Sequence, residues 1–408
     1  MKCRHCKTEL NHIFIDLNSS PPSNAYLSET ELKDTETWYP LKVMVCDNCW
    51  LVQTEDFVGA DEMFSDDYAY FSSFSTTWLE HAERYVTDMA KRFGLDAQSH
   101  IIEVAANDGY LLQYAKVKGI PCLGIEPTTS TAEAARAKGI EIVEDFFGVK
   151  LAEELVSQGK QADLTAANNV LAHVPDINDF VNGFAILLKE HGVATFEFPN
   201  LLNLVEQNQF DTIYHEHYSY LSLIVVQRIF KENGLTIFDV ENLPTHGGSL
   251  RVYAQRDNTG QQPISTHVYD LLEEEKKAGL DTLAFYSGFQ HKAETVKNDL
   301  LAFLQEAKKE KLTVAAYGAA AKGNTLLNFA GINSEFISFV VDLNPAKQNK
   351  YMPGSLIPIV DEAFLKSNKP DRVIILPWNL KSEIIQQLHY IQDWDSKFVL
   401  AIPKLEVI

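Results

Sequence analysis

The chain has 408 residues, too many for one small module, and its 46% hydrophobic and 22% charged residues describe globular domains rather than a disordered polymer. Its 56 acidic against 35 basic residues leave a net charge of −21, a field that repels polyanions and argues against nucleic acid as a partner. No run approaches the ~20 apolar residues that span a bilayer, and the opening MKCRHCKTELNH has no apolar signal core, so a cytoplasmic protein without membrane association is expected.

Four of the five cysteines fall in two C-x-x-C pairs, Cys3/Cys6 and Cys46/Cys49, with Cys122 apart. In a reducing compartment such pairs favour a metal over disulfides, each knuckle directing two thiolates at one tetrahedral ion at about 2.3 Å. Four sulfurs leave no open position for a substrate, so a structural zinc is predicted, with His5 as a competing ligand. The short apolar runs around SSPPSN (19–24) need such a staple, and a zinc-binding domain over 1–62 is expected.

Downstream, HIIEVA (100–105), PCLGIE (121–126), ADLTAAN (162–168) and VATFEF (193–198) alternate with helical stretches, the pattern of a parallel α/β sheet covered on both faces. The first strand runs into Ala105-Ala-Asn107-Asp-Gly109, and the second ends in Glu126-Pro127. A carboxylate there can accept hydrogen bonds from both ribose hydroxyls of an adenosine-type ligand, the alternative being a plain βα turn. Asp145-Phe146 suits an adenine amino group and its ring, or is a solvated turn. Asn168 ends the third strand, and His173 follows at the carboxyl edge where open sheets bind ligands.

Asp211-Thr-Ile-Tyr214-His215-Glu216-His217-Tyr218 gathers two imidazoles, carboxylates and phenols at a density that packing rarely maintains. As a strand, His215 and His217 share a face and offer a metal pair; as a turn or helix start, Tyr214 and His217 face the same way at i,i+3. His246-Gly-Gly-Ser249 allows close backbone approach to a ligand, or forms a tight turn. A polar helical linking region follows Arg251-Val-Tyr-Ala, and a second α/β series runs through LTVAAYG (312–318), FISFVVD (336–342) and RVIILPW (372–378). Gly318-Ala-Ala-Ala-Lys322-Gly323 is similar to G-x-G-x-x-G with Ala320 at the middle glycine, and Asp342 ends the next strand. An NAD site would use Asp342 on the ribose; a nucleotide-sugar site would use the helix N-terminus and Lys322 on the diphosphate. Ala320 crowds a dinucleotide pyrophosphate and favours the sugar nucleotide, with a ligand-free structural domain as the third reading.

Together the paired knuckles, Glu103-Val-Ala-Ala-Asn-Asp-Gly109, Gly124-Ile-Glu-Pro127, Asn168-Asn-Val-Leu-Ala-His173-Val, Tyr214-His-Glu-His217-Tyr-Ser-Tyr220 and His246-Gly-Gly-Ser-Leu-Arg251 resemble the sugar C-methyltransferase family. The resemblance covers almost the whole chain. It implies an α/β protein with a zinc-binding domain (1–62), an S-adenosylmethionine-dependent methyltransferase core of Rossmann-like fold (63–255) and a second Rossmann-like domain binding the nucleotide sugar (256–408). The implied reaction is methylation at C3 of a nucleotide-linked 4-keto-6-deoxyhexose through base-catalysed enolisation. Glu103, Ala105, Asn107, Gly109, Glu126, Pro127, Asp145, Phe146 and Asn168 are then expected toward the cofactor, although Ala105-Ala106 stand where many methyltransferases carry glycines. His217 is carried over as the base, with Glu216 holding its tautomer and Tyr214 or His173 donating to the developing O4 enolate. Tyr68 is expected to approach the sugar, with Tyr70 as its alternative, while His246, Gly318, Lys322 and Gly323 face the nucleotide sugar. The competing readings are an NAD-dependent oxidoreductase of nucleotide sugars and a non-catalytic, zinc-dependent interaction protein.

Overall fold

The computed structural model describes residues 1–55 and 71–408, so Tyr68 and Tyr70 lie outside the described residues. The N-terminal segment forms an antiparallel sheet of β1 (His12–Ser20), β2 (Tyr39–Val45) and β3 (Val52–Thr54). Helix α1 (Thr76–Phe93) starts on Ser75, whose Oγ accepts the Trp78 N–H at 3.3 Å, and ends at Gly94 with φ 65°. Its buried stripe of His81, Ala82, Tyr85, Val86 and Met89 faces the next sheet and leaves Trp78 at the crevice.

That sheet contains β4 (Ile101–Val104), β5 (Cys122–Ile125), β6 (Glu141–Val143), β7 (Ala162–Asn168) and β8 (Leu188–Pro199), parallel in the order β6-β5-β4-β7-β8. The chain then returns to the N-terminal sheet as β9 (Ser219–Tyr220), pairing Ser219 with Gln53 and Tyr220 with Val52. It rejoins the central sheet as β10 (Leu235–Leu243) and β11 (Ser249–Arg256), with β11 antiparallel between β8 and β10. Because the order reverses beside β4, the carboxyl ends of β4, β5 and β7 splay around a crevice, the place where open α/β sheets bind ligands.

Helix α2 (Phe289–Lys309), expected as a linker, is a core element instead: Phe289, Val296, Leu300 and Leu304 are buried, and Phe289 stacks on Phe14 of β1 at 4.6 Å. A third sheet follows, from β12 (Val314–Tyr317), β13 (Val340–Val341), β14 (Ile359–Val360), β15 (Arg372–Ile375), β16 (Lys397–Leu400) and β17 (Glu406–Val407), in the order β14-β13-β12-β15-β16-β17. Only β17 is antiparallel. β13 is shorter than the expected 336–342 because two residues alone, Val340 and Val341, stay in register with β12. Between β12 and β13 lies α3 (Ala321–Ala330), closed by Gly331 at φ 65°.

Two apolar clusters stay within the central and third sheets with their own helices, while two others cross between layers. One apolar cluster joins Phe14 and Val43 of the first sheet, Phe210 and Ile213 before the β9 turn, Val296 of α2 and Leu326 of α3. Another joins Cys3, Cys46 and Cys49 to Phe196, Phe230 and Leu221. The N-terminal sheet is therefore wedged against both larger sheets. Phe14→Ala should cost about 3–5 kcal/mol, read as a lower denaturation midpoint.

Candidate active site

A cavity of about 390 Å³ opens where the three sheets meet. The central sheet contributes Ala105, Asn107, Glu126, Pro127, Asp145, Phe146, Asn168 and His173; the turn before β9 contributes Tyr214, Glu216 and His217; the third sheet contributes Lys322; and His246 precedes β11. The two nucleotide-type motifs read separately in the sequence thus open on one space.

The loop after β4 makes a glycine-like turn without glycine: Ala105 and Asn107 sit at φ 59° and 49°. That left-handed backbone aims the Asn107 N–H at Glu126, which accepts it at 2.8 Å and also accepts the Thr128 N–H, two residues on, at 3.0 Å. The Thr128 and Thr131 hydroxyls also bond this carboxylate, and burial raises the Glu126 pKa despite these bonds. Asn168 presents a buried carboxamide beside the Tyr110 hydroxyl, and Phe146 is a half-exposed ring beside Asp145. Glu103 and Gly109 do not border the cavity. Glu103 lies wholly buried beneath the loop, its pKa pushed well above the usual range by burial, while Gly109 at φ 74° packs on Ile140.

The 214–217 segment is a turn, closed by the His217 N–H on the Tyr214 carbonyl at 2.9 Å. His215 and His217 consequently diverge, and His215 bonds the Pro40 carbonyl at 3.2 Å, away from the cavity. The Tyr214 and His217 rings lie 4.0 Å apart, with the edge of His173 4.6 Å from His217. His217 Nδ1 donates to the Thr212 carbonyl at 2.8 Å, an acceptor-only partner that places the proton on Nδ1 and leaves the lone pair on Nε2. The tautomer is thus set by Thr212 rather than by Glu216, whose Oε1 accepts from Asn24 Nδ2 at 2.6 Å. Burial, reinforced by His173, holds His217 well below its ordinary pKa, and burial lowers His173 to about 4. His246, at φ 54°, is likewise lowered to about 4 by burial; its Nε2 accepts from Asn169 Nδ2 at 3.2 Å.

From the third sheet, Lys322 Nζ donates to Asn379 Oδ1 at 2.7 Å and stands 4.6 Å over the Trp378 ring, whose Nε1 bonds Asp211 at 2.8 Å. Burial raises Asp211 to about 7, against the pull of Lys322. Gly318 and Gly323 do not border the cavity. They serve packing: a Cβ would stand 2.5 Å from Pro377 at Gly318 and 2.8 Å from Leu376 at Gly323. Asp342 is taken up by the turn, accepting the Ala319 and Asn344 N–H groups at 2.8 Å each.

Asn24, Trp78 and Lys347 also line the cavity and were not singled out in the sequence. Asn24 lies in SSPPSN, which reads only as a chain breaker, and Lys347 lies in a polar stretch with no motif. Their places depend on contacts between sheets.

The Sγ atoms of Cys3, Cys6, Cys46 and Cys49 all lie within 4.8 Å of one another, with Cys3–Cys49 and Cys6–Cys46 at 3.5 Å. A tetrahedral ion with bonds of about 2.3 Å needs sulfurs about 3.8 Å apart, so the set fits zinc. Cys3 is pulled down to about 4 by the Cys49 thiol, and Gln53 Nε2 donates to it at 3.2 Å. His5 turns away to Asn178 and Glu232, leaving four sulfurs and a closed site.

Family models match a zinc-binding domain at residues 3–64, a methyltransferase domain at 78–240 and a C-methyltransferase C-terminal domain at 244–403. The chain is 31% identical over 407 residues to the C-methyltransferase NovU of Streptomyces niveus, covering 100% of this chain and 96% of that protein. The chain belongs to the C-methyltransferase family. It is an S-adenosylmethionine-dependent methyltransferase with an N-terminal zinc-binding domain. Similar solved structures include magnesium protoporphyrin IX methyltransferase of Synechocystis PCC 6803, at 15% identity and TM-score 0.34 over 44% of this chain and 79% of that one. Another is an S-adenosylmethionine-dependent methyltransferase of Clostridium acetobutylicum, at 11% and 0.36 over 45% and 92%. Among the described residues no helix is long and apolar enough to cross a membrane.

The cavity's donors and acceptors fit the C-methyltransferase's cofactor: Glu126 presents a carboxylate of the kind that receives ribose hydroxyls, Asn168 a carboxamide, and Phe146 a ring face. Glu126→Ala should weaken S-adenosylmethionine binding by about 1.5–3 kcal/mol in calorimetric titration. Elemental analysis should find one zinc per chain, lost in Cys46→Ser along with folding stability.

Proposed function

We propose that the chain methylates C3 of a nucleotide-linked 4-keto-6-deoxyhexose, with His217 as the base. The observation that carries this reading is an imidazole kept neutral by burial, with Nδ1–H anchored on Thr212 and its Nε2 lone pair left for a proton, in a cavity that also holds Lys322 and Lys347.

His217 Nε2 takes the C3 proton, which the adjacent C4 ketone acidifies; the C–H pair becomes the C3–C4 double bond and O4 gains the charge. Tyr214 or His173 donates to that oxygen, and the cation of Lys322 adds to the local positive potential. S-adenosylmethionine, when bound, supplies an electrophilic methyl group at a sulfonium centre. The enolate carbon then forms the new carbon–carbon bond while the sulfur keeps the electron pair of the broken one. Glu126, Asp145, Phe146 and Asn168 hold the cofactor, and Lys322 and Lys347 neutralise the substrate's diphosphate at the far wall. Lys347 is itself anchored on the Ala319 carbonyl at 2.8 Å. A chain of net charge −21 needs such local cations to receive a dianion. Asn24 Nδ2 anchors the Glu216 carboxylate to the 19–24 segment, while the imidazole keeps its Nε2 lone pair.

His217→Asn should leave cofactor affinity nearly unchanged and lower turnover by about 10²–10⁴. It should also abolish solvent deuterium exchange at the substrate's C3 when S-adenosylhomocysteine fills the cofactor site. Full methylation by His217→Asn would place the base elsewhere.

The histidine shifts set a pH window. In the unfolded chain histidines protonate near 6.5, whereas His173 and His246 wait until about 4, so acidification between these values binds protons preferentially to the unfolded state. Stability should therefore fall as pH drops from about 6.5 toward 4, while the acid limb of kcat/KM lies below the ordinary imidazole value. A limb at or above about 6.5 would contradict the burial argument.

A further inference from the structure

We propose that the zinc knuckle holds the catalytic turn in place, with Arg4 and Thr54 as positioning residues for His217; this rests on His217 being the base. Arg4 lies between the first two cysteines and is 6% exposed. Its backbone N–H bonds Gln53 Oε1 at 2.8 Å, and Gln53 Nε2 in turn bonds Cys3 Sγ. Its guanidinium reaches three places: Nη2 to the Thr54 carbonyl at 2.9 Å, Nη1 to the Pro175 carbonyl at 3.1 Å, and the Tyr218 ring at 5.1 Å. Pro175 stands two residues after His173, and Tyr218 one after His217, so one side chain grips both histidine-bearing segments.

Thr54 completes the clamp. Its Oγ1 donates to the His217 carbonyl at 3.1 Å and its N–H to the Tyr218 carbonyl at 3.2 Å, while the Tyr218 N–H donates to the Ala172 carbonyl at 2.8 Å. The continuous path from sulfur to base is therefore Cys3, Gln53 and Arg4, then Thr54, then His217. A knuckle clamped by the ion fixes where Arg4 emerges; a loose knuckle lets the turn drift, and misplacing a reacting group by about 1 Å can cost roughly 10² in rate.

The test uses full-length zinc-loaded protein carrying Arg4→Met or Thr54→Val. Hydrogen–deuterium exchange followed by mass spectrometry should show the Tyr218–Tyr220 amides of Arg4→Met exchanging at least about tenfold faster, with 101–104 unchanged. Turnover of a nucleoside-diphosphate 4-keto-6-deoxyhexose should fall about 10–100-fold with S-adenosylmethionine affinity within about twofold, and the acid limb should rise toward the ordinary imidazole value as the ring gains water. Thr54→Val does not touch the knuckle; it should raise the same limb and lower kcat about 3–10-fold. Wild-type exchange and turnover in Arg4→Met with one zinc retained would overturn the proposal. If Arg4→Met loses its zinc, wild-type rates in Thr54→Val would overturn it. Failure of the base assignment shows separately, as a fully active His217→Asn.

Discussion

The short pairing of Gln53 with Ser219 and Val52 with Tyr220 is the constraint on which the site depends. Two residues of the methyltransferase region complete the sheet of the zinc domain, and His217, the proposed base, lies two residues before them. Backbone ladders tolerate little slip where one face is buried. Here Val52 is fully buried and Tyr220 nearly so, and a one-residue shift would turn both to the wrong face. The segment from Thr212 to Tyr220 is thus determined by pairing at one end and by the packing of Phe210 and Ile213 at the other. The Tyr214–His217 turn, without helical or strand hydrogen bonds of its own, acquires rigidity from two neighbouring domains.

Electrostatics follows from that enclosure. Three imidazoles, two lysines and several carboxylates meet in little space, and burial penalises whichever form is charged. The histidines are held neutral, Asp211 is lifted to about 7, and Lys322 is pulled below its ordinary value by burial. For the proposed proton abstraction the outcome is favourable, because a neutral imidazole has its lone pair available throughout the physiological range. Lys322 is shared between Asn379, the Trp378 face and the field of Asp211, a setting that orders the cation before any substrate arrives.

The fold was largely legible because parallel strands buried on both faces read as short apolar runs: β4, β5, β7, β12 and β15 each fall within a segment expected from sequence. The edge strands β6, β14 and β17 carry too few buried residues to be seen this way. α2 reads as a linker because its polar face dominates the composition, while its apolar stripe meets β1, where Phe289 stacks on Phe14, a contact no local pattern announces. In the site, residues with chemistry at strand ends were readable: Glu126, His173 and His217 all reach the cavity. Glu103, Gly109, Gly318 and Gly323 carried the motif pattern yet serve packing or lie beneath the loop, since a motif preserves the shape of a turn as well as its contacts. Asn24 and Lys347 were invisible, being brought in by sheet-to-sheet contact alone.

Around the cavity the protein holds ordinary residues in left-handed backbone. Ala105, Asn107, Asn169 and His246 all take positive φ and all border the cavity. Such conformations cost of order 1 kcal/mol or more for a residue with a Cβ, and asparagine bears that more easily than alanine or histidine. They persist because the neighbouring bonds over-determine them: Glu126 holds the Asn107 N–H, and Asn169 holds the ring of His246. Each strained residue thus brings a side chain or an N–H group to the cavity wall that a relaxed turn would direct elsewhere. The loops around this site gain reach from the same backbone positions that reduce stability, and the surrounding sheets supply the packing that keeps them there.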